Sequence, residues 1–228
     1  MRRRAAGCRR SSACRCRAMP RSYEPMNASD ADAIDWRFAV GRVRGRLLDA
    51  SDGDRALYVA LYAESAVMAH IGEAMSADAA AEMFEQSVRC NRDPAALARY
   101  WRVDDLRSGE AVGIVALVRK ARAPDRGELG VMLLPRWHNR GVGLPALAGA
   151  VDGVIAGRWL GEVDLLIGRH AARNPNAGRL TEALGFERQP DDDSGSVRWY
   201  LRRRDWRARR DAWPSAAGGI KHFSKKER

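Results

Sequence analysis

The sequence predicts an α/β fold with helices flanking a sheet, and three observations carry that prediction. Short apolar runs bounded by turn residues alternate along the chain with stretches of helical period. A composition of 46% hydrophobic and 30% charged residues is globular, which excludes collagen and wholesale disorder. At 128–155 a strand-like run passes through a glycine-bearing turn into an apolar helix, the building unit of α/β chains. The 228 residues suit one ordinary domain with tails and can bury a core unaided. No stretch approaches about 18 uncharged apolar residues, so no membrane span is expected.

The elements follow in order. Val43–Leu48 reads as a strand leading into Ser51-Asp52-Gly53-Asp54, the signature of a capped helix start. Leu57, Leu61 and Tyr62 then share one helical face. Ser76 caps a second helix with Ala80, Met83, Phe84 and Val88 at helical spacing. Tyr100–Val103 and Val112–Val118 read as a hairpin, with Arg107-Ser108-Gly109-Glu110 in its turn. Glu128–Leu134 is a strand that stops at Pro135. The next helix carries Leu144, Leu147, Val151, Val154 and Ile155 on one stripe. Val163–Ile167 is a buried-type strand. Pro175–Leu184 is a helix closed by Gly185, a favoured residue just past a helix end. Val197–Leu201 is the last strand. No internal repeat is visible.

The charge sits at the ends. Residues 1–21 hold eight Arg and no acid, and residues 202–228 carry +7, leaving −4 for 22–201 out of a total of +11. Basic tails of this kind offer non-specific contact with nucleic acid. Residues 1–21 interleave no aromatic residues with their Arg, so they build no stacking platform and no specific nucleic-acid partner is expected. The first 20 residues lack the apolar core of a secretory signal. They read either as transit-peptide chemistry or as an over-extended start, with Met19 or Met26 the true beginning. Cys8, Cys14 and Cys16 have neither zinc-site spacing nor a nearby His, so no metal is expected. Cys90 reads as a small buried hydrophobe. Four cysteines are too few to staple a body of this size, so a reducing, cytoplasmic setting is the default.

The chemistry is concentrated in Leu133-Leu134-Pro135-Arg136-Trp137-His138-Asn139-Arg140-Gly141-Val142-Gly143-Leu144-Pro145. Gly141 and Gly143 remove side chains where the backbone must turn, and expose N–H groups at a helix start. Pro145 suits the first turn, where its missing N–H costs nothing. Free donors and the positive end of the helix dipole make an anion site. Arg140 adds a full charge. A tight turn without a ligand is the bland alternative. Gly141-Val142-Gly143-Leu144-Pro145-Ala146 also fits the dinucleotide fingerprint G-x-G-x-x-A, for which Asp164 would have to supply the ribose contact. Asp164 sits at the start of its strand rather than at the end.

The run His138-Asn139-Arg140-Gly141-Val142-Gly143 resembles the acetyl-CoA loop of the GNAT superfamily of N-acetyltransferases, Q/R-x-x-G-x-G/A, with His in the first position. Glu128-Leu129-Gly130-Val131-Met132-Leu133-Leu134-Pro135 is similar to the preceding strand of the branch typified by ribosomal-protein N-terminal alanine acetyltransferases. Asn174-Pro175-Asn176-Ala177-Gly178-Arg179-Leu180-Thr181-Glu182-Ala183-Leu184-Gly185-Phe186 resembles that branch's N-x-x-S…L-G-F element, and Trp199-Tyr200-Leu201…Trp206 its closing strand. The order of elements agrees from about residue 43 to residue 206.

The resemblance implies a mixed, mostly antiparallel sheet flanked by helices, with two parallel strands splayed apart near Leu134 and Ile167. It implies three regions: an Arg-rich extension at 1–40, an acetyltransferase domain at 41–206 and a basic tail at 207–228. The co-substrate would be acetyl-CoA, with no metal. Its pantetheine arm would pair with Met132, Leu133 and Leu134 and meet Asn174. Its pyrophosphate would lie on the N–H groups of Arg140, Gly141, Val142, Gly143 and Leu144, with His138 and Asn139 also binding the cofactor at the start of the loop. Ala177 replaces the branch's Ser, and Thr181 stands where many relatives carry a Tyr acid. Glu128 is the candidate general base, since an attacking amine must first lose a proton. The acceptor would be a protein N-terminus or a small-molecule amine, on a monomer or homodimer. His70 is read as a loop residue on the acceptor side. Asp191-Asp192-Asp193 is read as a solvated turn that could attract a cationic acceptor. A GNAT-like module that binds acyl-CoA or a partner without chemistry is the second class of function.

Overall fold

The computed structural model of the protein describes residues 37–155, 159, 163–191, 195–210 and 220–222. Its strands are β1 (Phe38–Val40), β2 (Val43–Leu47), β3 (Ala98–Asp105), β4 (Ala111–Lys120), β5 (Ala123–Leu133), β6 (Leu165–Ala171), β7 (Glu187–Arg188), β8 (Ser196–Arg202) and β9 (Ile220–His222). Its helices are α1 (Asp52–Ala63), α2 (Ser65–Met68), α3 (Ala77–Arg92), α4 (Gly143–Ile155), α5 (Pro175–Leu184) and α6 (Arg203–Arg210), with a 3-10 turn at Pro135–Trp137. The strands form one sheet in the order β7-β8-β6-β5-β4-β3-β2-β1-β9. Among the described residues β5 and β6 are the one parallel pair. This is the mixed, mostly antiparallel sheet that the resemblance implied.

The caps read from the sequence are made. The Ser51 side chain accepts from the Asp54 N–H, and that of Ser76 from the Ala79 N–H. Gly185 ends α5 at φ 85°, where a side chain would be strained. Asp54 does more than its position in a capping sequence suggests. It is fully buried and receives Arg46 Nη1 and Nη2 at 2.8 and 2.7 Å, and Arg102 Nη1 at 3.0 Å. The carboxylate thus joins the start of α1 to β2 and β3.

Helix α4 is buried along nearly its whole length, as an all-round apolar helix must be. A Cβ on Gly149 would fall 2.2 Å from the Phe38 ring, and one on Gly153 2.4 Å from Trp159. Both glycines therefore let aromatic rings approach the helix axis. Trp159 stacks on Trp101 of β3 with ring centroids 5.1 Å apart. Trp206 of α6 donates its indole N–H to Asp152 of α4 at 3.2 Å.

Several boundaries differ from the sequence reading. β5 begins at Ala123, five residues before Glu128, because Gly127 and Ala123 pair with Arg119 and Lys120 of β4 across a register shift, and Arg126 pairs with Leu165 of β6. β6 runs to Ala171 rather than stopping at Ile167, held by β8 on its far side. The sheet also reaches beyond 41–206, since β1 starts at Phe38 and β9 pairs with it. Residues 207–210 continue α6. The cysteines at 8, 14 and 16 and most of the Arg-rich N-terminal segment lie outside the described residues.

Candidate functional site

The site begins where the parallel pair ends. β5 and β6 are in register at Arg126↔Leu165, Gly127↔Leu166 and Glu128↔Ile167, and no further. β5 continues to Leu133 beside β4, and β6 to Ala171 beside β8. Each strand keeps its outer neighbour and parts from the other, so a fork opens toward their carboxyl ends. Ligands of open α/β sheets sit at such ends. Leu134 donates its N–H to Val112 O at 2.9 Å. Successive residues of a strand point their polar groups to alternate edges. Leu134 and Met132 therefore turn toward β4, and Leu133 and Val131 toward the fork. His138 places Nε2 3.0 Å from Leu133 O. A carbonyl can only accept, so Nε2 carries the proton in this bond.

The loop after β5 is built for backbone donors. Asn139 has φ 57° and Gly141 φ 73°. These two left-handed residues flank Arg140, and such an alternation turns successive N–H groups into one concavity. Asn tolerates this region, and Gly adopts it freely. The first bond of α4 is Ala146 N–H to Val142 O at 3.2 Å, which leaves the amides of Gly143 and Leu144 ahead of the helix ladder. Gly143 is buried, and a Cβ there would stand 3.3 Å from Leu133 Cδ1 and from Leu180 Cδ1. The loop thus presses its backbone between the end of β5 and helix α5.

Trp137 anchors the loop from below and is buried. The Arg140 guanidinium lies 5.8 Å from its ring centroid, and that of Arg42 lies 5.5 Å away, within cation–π reach. Arg42 in turn pairs with the buried Asp105. The Arg42 hydrogen bond holds the Asp105 carboxyl well below the usual carboxylate range, against the opposing effect of burial. A carboxyl depressed in the folded state stabilises fully above its unfolded pKa, and the contribution is lost as pH falls below it.

The other wall carries the remaining candidates. Paired and alternate residues place Glu128, Ile167 and Arg169 on one sheet face. Glu128 is half-buried, and its Oε2 stands 3.8 Å from Arg169 Nη2. That face also holds Arg102, which reaches Asp54 at the start of α1. Past the end of α2, Ala69 O accepts from Arg173 Nη2 at 2.7 Å, which ties the 69–73 loop to the β6–α5 turn. His70 in that loop is exposed.

Asn174 caps α5, its Oδ1 accepting from the Ala177 N–H at 3.2 Å. This leaves the side-chain amide's own donors for other contacts. Thr181 donates its hydroxyl into its own helix, 2.9 Å from Gly178 O and 3.1 Å from Ala177 O, so it points no proton at the fork. Asp191 is held by Arg188 at 2.8 and 2.9 Å; Asp192 and Asp193 lie outside the described residues. Cys90 is buried, as its reading as a small hydrophobe expected. Among the described residues no group of His, Cys, Asp and Glu could hold a metal ion, and no helix is long and apolar enough to cross a membrane. Asp164 precedes β6, at the end away from the loop, and pairs with Arg203 at 3.0 Å. It is therefore misplaced for a dinucleotide ribose.

Two features escaped the sequence reading. Trp199 donates its indole N–H to His170 Nε2 at 2.9 Å, and His170 Nδ1 lies 2.9 Å from Ala171 O. An accepting Nε2 places the ring proton on Nδ1. Arg169 and His170 lay past the strand as read from sequence. Once β6 extends to Ala171, alternation sends them to opposite faces.

Residues 42–187 match the acetyltransferase (GNAT) domain family. Among solved structures, the chain is similar to a GNAT-family acetyltransferase from Bacillus anthracis, with 13% identity, 74% of this chain and 99% of that one covered, and a TM-score of 0.60. It is also similar to spermidine N-acetyltransferase from Vibrio cholerae in complex with CoA and spermine, with 19% identity, 72% and 98% covered, and a TM-score of 0.59. A domain from Methanocaldococcus jannaschii gives 13% identity, 71% and 99% covered, and a TM-score of 0.57. No curated protein matches the sequence.

Proposed function

The chain belongs to the GNAT acetyltransferase family, and from that premise we propose that it transfers the acetyl group of acetyl-CoA directly to a primary amine at the fork between β5 and β6. The observation that carries this reading is the parting of the two parallel strands after Glu128↔Ile167, directly beside the Asn139–Leu144 loop. The fork leaves the main-chain groups of Val131 and the Leu133 N–H facing an open edge, suited to an extended pantetheine arm, while the Leu133 carbonyl is taken by His138. The alternating left-handed residues and the start of α4 suit a pyrophosphate, through N–H donors, the helix dipole and the charge of Arg140. Asn174 retains amide donors for the same arm.

Acetyl-CoA supplies a thioester with an electrophilic carbonyl and a sulfur leaving group. Glu128 is assigned the proton of the incoming ammonium, directly or through one water. The amine nitrogen then forms the C–N bond as the C–S bond breaks. The second nitrogen proton leaves with the sulfur as CoA thiol, by way of water, since Thr181 already donates into its helix. The acceptor is a small-molecule amine or a protein N-terminus, the latter being the preference of the branch that the motifs resemble.

Incubation with acetyl-CoA and a panel of amines that includes short peptides tests this reading directly. Release of free CoA that depends on an acceptor, with a matching 42-dalton gain on that acceptor, is the expected result. A chain that binds acetyl-CoA but acetylates nothing would instead be a binding module. Gly143→Glu is expected to weaken acetyl-CoA binding at least about tenfold, or ~1.4 kcal/mol. It sets an anion and a side chain into the space bounded by Leu133 and Leu180. Calorimetric titration reads the affinity, and a circular dichroism spectrum confirms that the variant folds.

A further inference from the structure

The wall on which Glu128 stands carries both signs of charge, with Arg169, Arg198 and Arg202 on β6 and β8 and Glu187 opposite Tyr200 at the sheet edge. Across β6 and β8 the registered pairs Leu165↔Arg202, Ile167↔Tyr200, Arg169↔Arg198 and Ala171↔Ser196 share one face, while Leu166↔Leu201 and Gly168↔Trp199 share the other. The second set is largely buried; in the first, Arg169 and Arg202 are exposed, Leu165 is buried and the others are half-buried. Beside Glu128 this face presents the exposed Arg169, with the half-buried Arg198 opposite it, and Arg173 follows in the turn beyond β6 with its guanidinium bonded to Ala69 O. Asp191, which read as a lure for a cationic acceptor, is taken by Arg188.

The Arg169–Glu128 contact is loose. At 3.8 Å between Nη2 and Oε2 it is longer than a hydrogen bond. Arg169 is exposed, and its guanidinium carries five donors in a planar fork that suits a carboxylate. A carboxylate and a guanidinium this close are the electrostatic complement of an ammonium and a carboxylate borne by one carbon. A polyamine would meet Glu128 with one cation and would offer Arg169 only further cations.

From this we infer that the acceptor is an α-amino acid, whose carboxylate docks on Arg169 and whose amine lies against Glu128. The inference rests on the acetyl-transfer reading above and specifies its substrate class. Docking would also draw Arg169 away from Glu128 and leave the carboxylate to take the ammonium proton. Arg169 is thus a specificity residue that acts on the acceptor's anionic end.

The test measures CoA release with the common amino acids, each paired with its own amide, and with spermidine. The full chain carries either Arg169, Arg169→Gln or Arg169→Lys. At least one amino acid should exceed its amide by tenfold or more in kcat/KM, chiefly through KM. That ratio should fall toward one in Arg169→Gln and recover in part in Arg169→Lys. Amides or spermidine accepted as well as the amino acids would overturn the inference and leave acetyl transfer standing. So would a ratio that Arg169→Gln does not move. Release of no CoA from any of these probes would overturn the inference, and release with the short peptides of the panel above would show that acetyl transfer itself stands.

Discussion

Glu128→Gln is expected to slow acetyl transfer by about 10²–10⁴-fold, the usual contribution of a positioned general base. Gln keeps the shape of the side chain and removes its ability to take a proton. Glu128 is the last residue of β5 in register with β6, so the substitution falls at the root of the fork and disturbs neither ladder. Affinity for acetyl-CoA should stay within a few-fold, because the loop and the start of α4 are untouched. The loss should also shrink as pH rises. More of the acceptor amine is then already neutral and needs no base. A residue that only positions the acceptor predicts a loss that does not vary in this way. Rates measured from pH 6 to 9 at saturating acceptor separate the two. Equal rates for the two proteins across that range would remove Glu128 from the chemistry and direct attention to the 69–73 loop.

Arg99→Met is expected to cost about 3–5 kcal/mol of folding stability, in the range of a broken buried charge network. Arg99 is 2% exposed. Its Nη1 donates to Cys90 O, Ala96 O and Ala98 O at 2.9, 3.0 and 2.8 Å. Its Nη2 donates to Asp93 O and Pro94 O at 2.9 and 3.1 Å. One guanidinium thereby gathers the end of α3, the loop after it and the start of β3. Burial draws its pKa down, and the nearby Arg119 adds to the effect; the carbonyls around it favour the protonated form. Met fills a similar volume but strands those oxygens without a donor. Urea unfolding should show a lower midpoint with an unchanged slope. A loss under about 1 kcal/mol would mean that water serves these carbonyls as well as Arg99 does.

What was legible in the sequence was written in local chemistry. Ser51 and Ser76 announce helices because a hydroxyl satisfies an amide within three residues. Gly185 marks the end of α5 through a backbone angle that few other residues adopt. The loop from His138 to Leu144 was legible for the same reason, since its glycines and Pro145 make sense only at a turn into a helix.

The rest depends on partners far along the chain. The sequence Ala123-Pro124-Asp125-Arg126-Gly127 has the look of a loop, and it is a strand because β4 pairs its two ends and β6 pairs Arg126. Arg169 acquires a meaning only when β6 is seen to continue, because two residues of register decide its neighbour and its face. Glu128 could be named a base from a motif, but its contact with Arg169 could not. Asp54 looked like part of a helix start, and its burial between Arg46 and Arg102 required the positions of β2 and β3. His138, where the family pattern has Gln or Arg, turns back to Leu133 O. No pattern of residues along the chain distinguishes that contact from one to a ligand.

Everything proposed for this site requires that the Asn139–Leu144 loop and the fork beside it bind acetyl-CoA. The most direct measurement is the thermal midpoint of the full chain with acetyl-CoA, and separately with NADH, each at equal concentration. A ligand that binds only the folded state stabilises it by about 2.7 kcal/mol at a hundred times its Kd. Acetyl-CoA should raise the midpoint by several degrees, and NADH should leave it in place. A midpoint that moves with NADH and not with acetyl-CoA would contradict the claim and return the glycine loop to a dinucleotide.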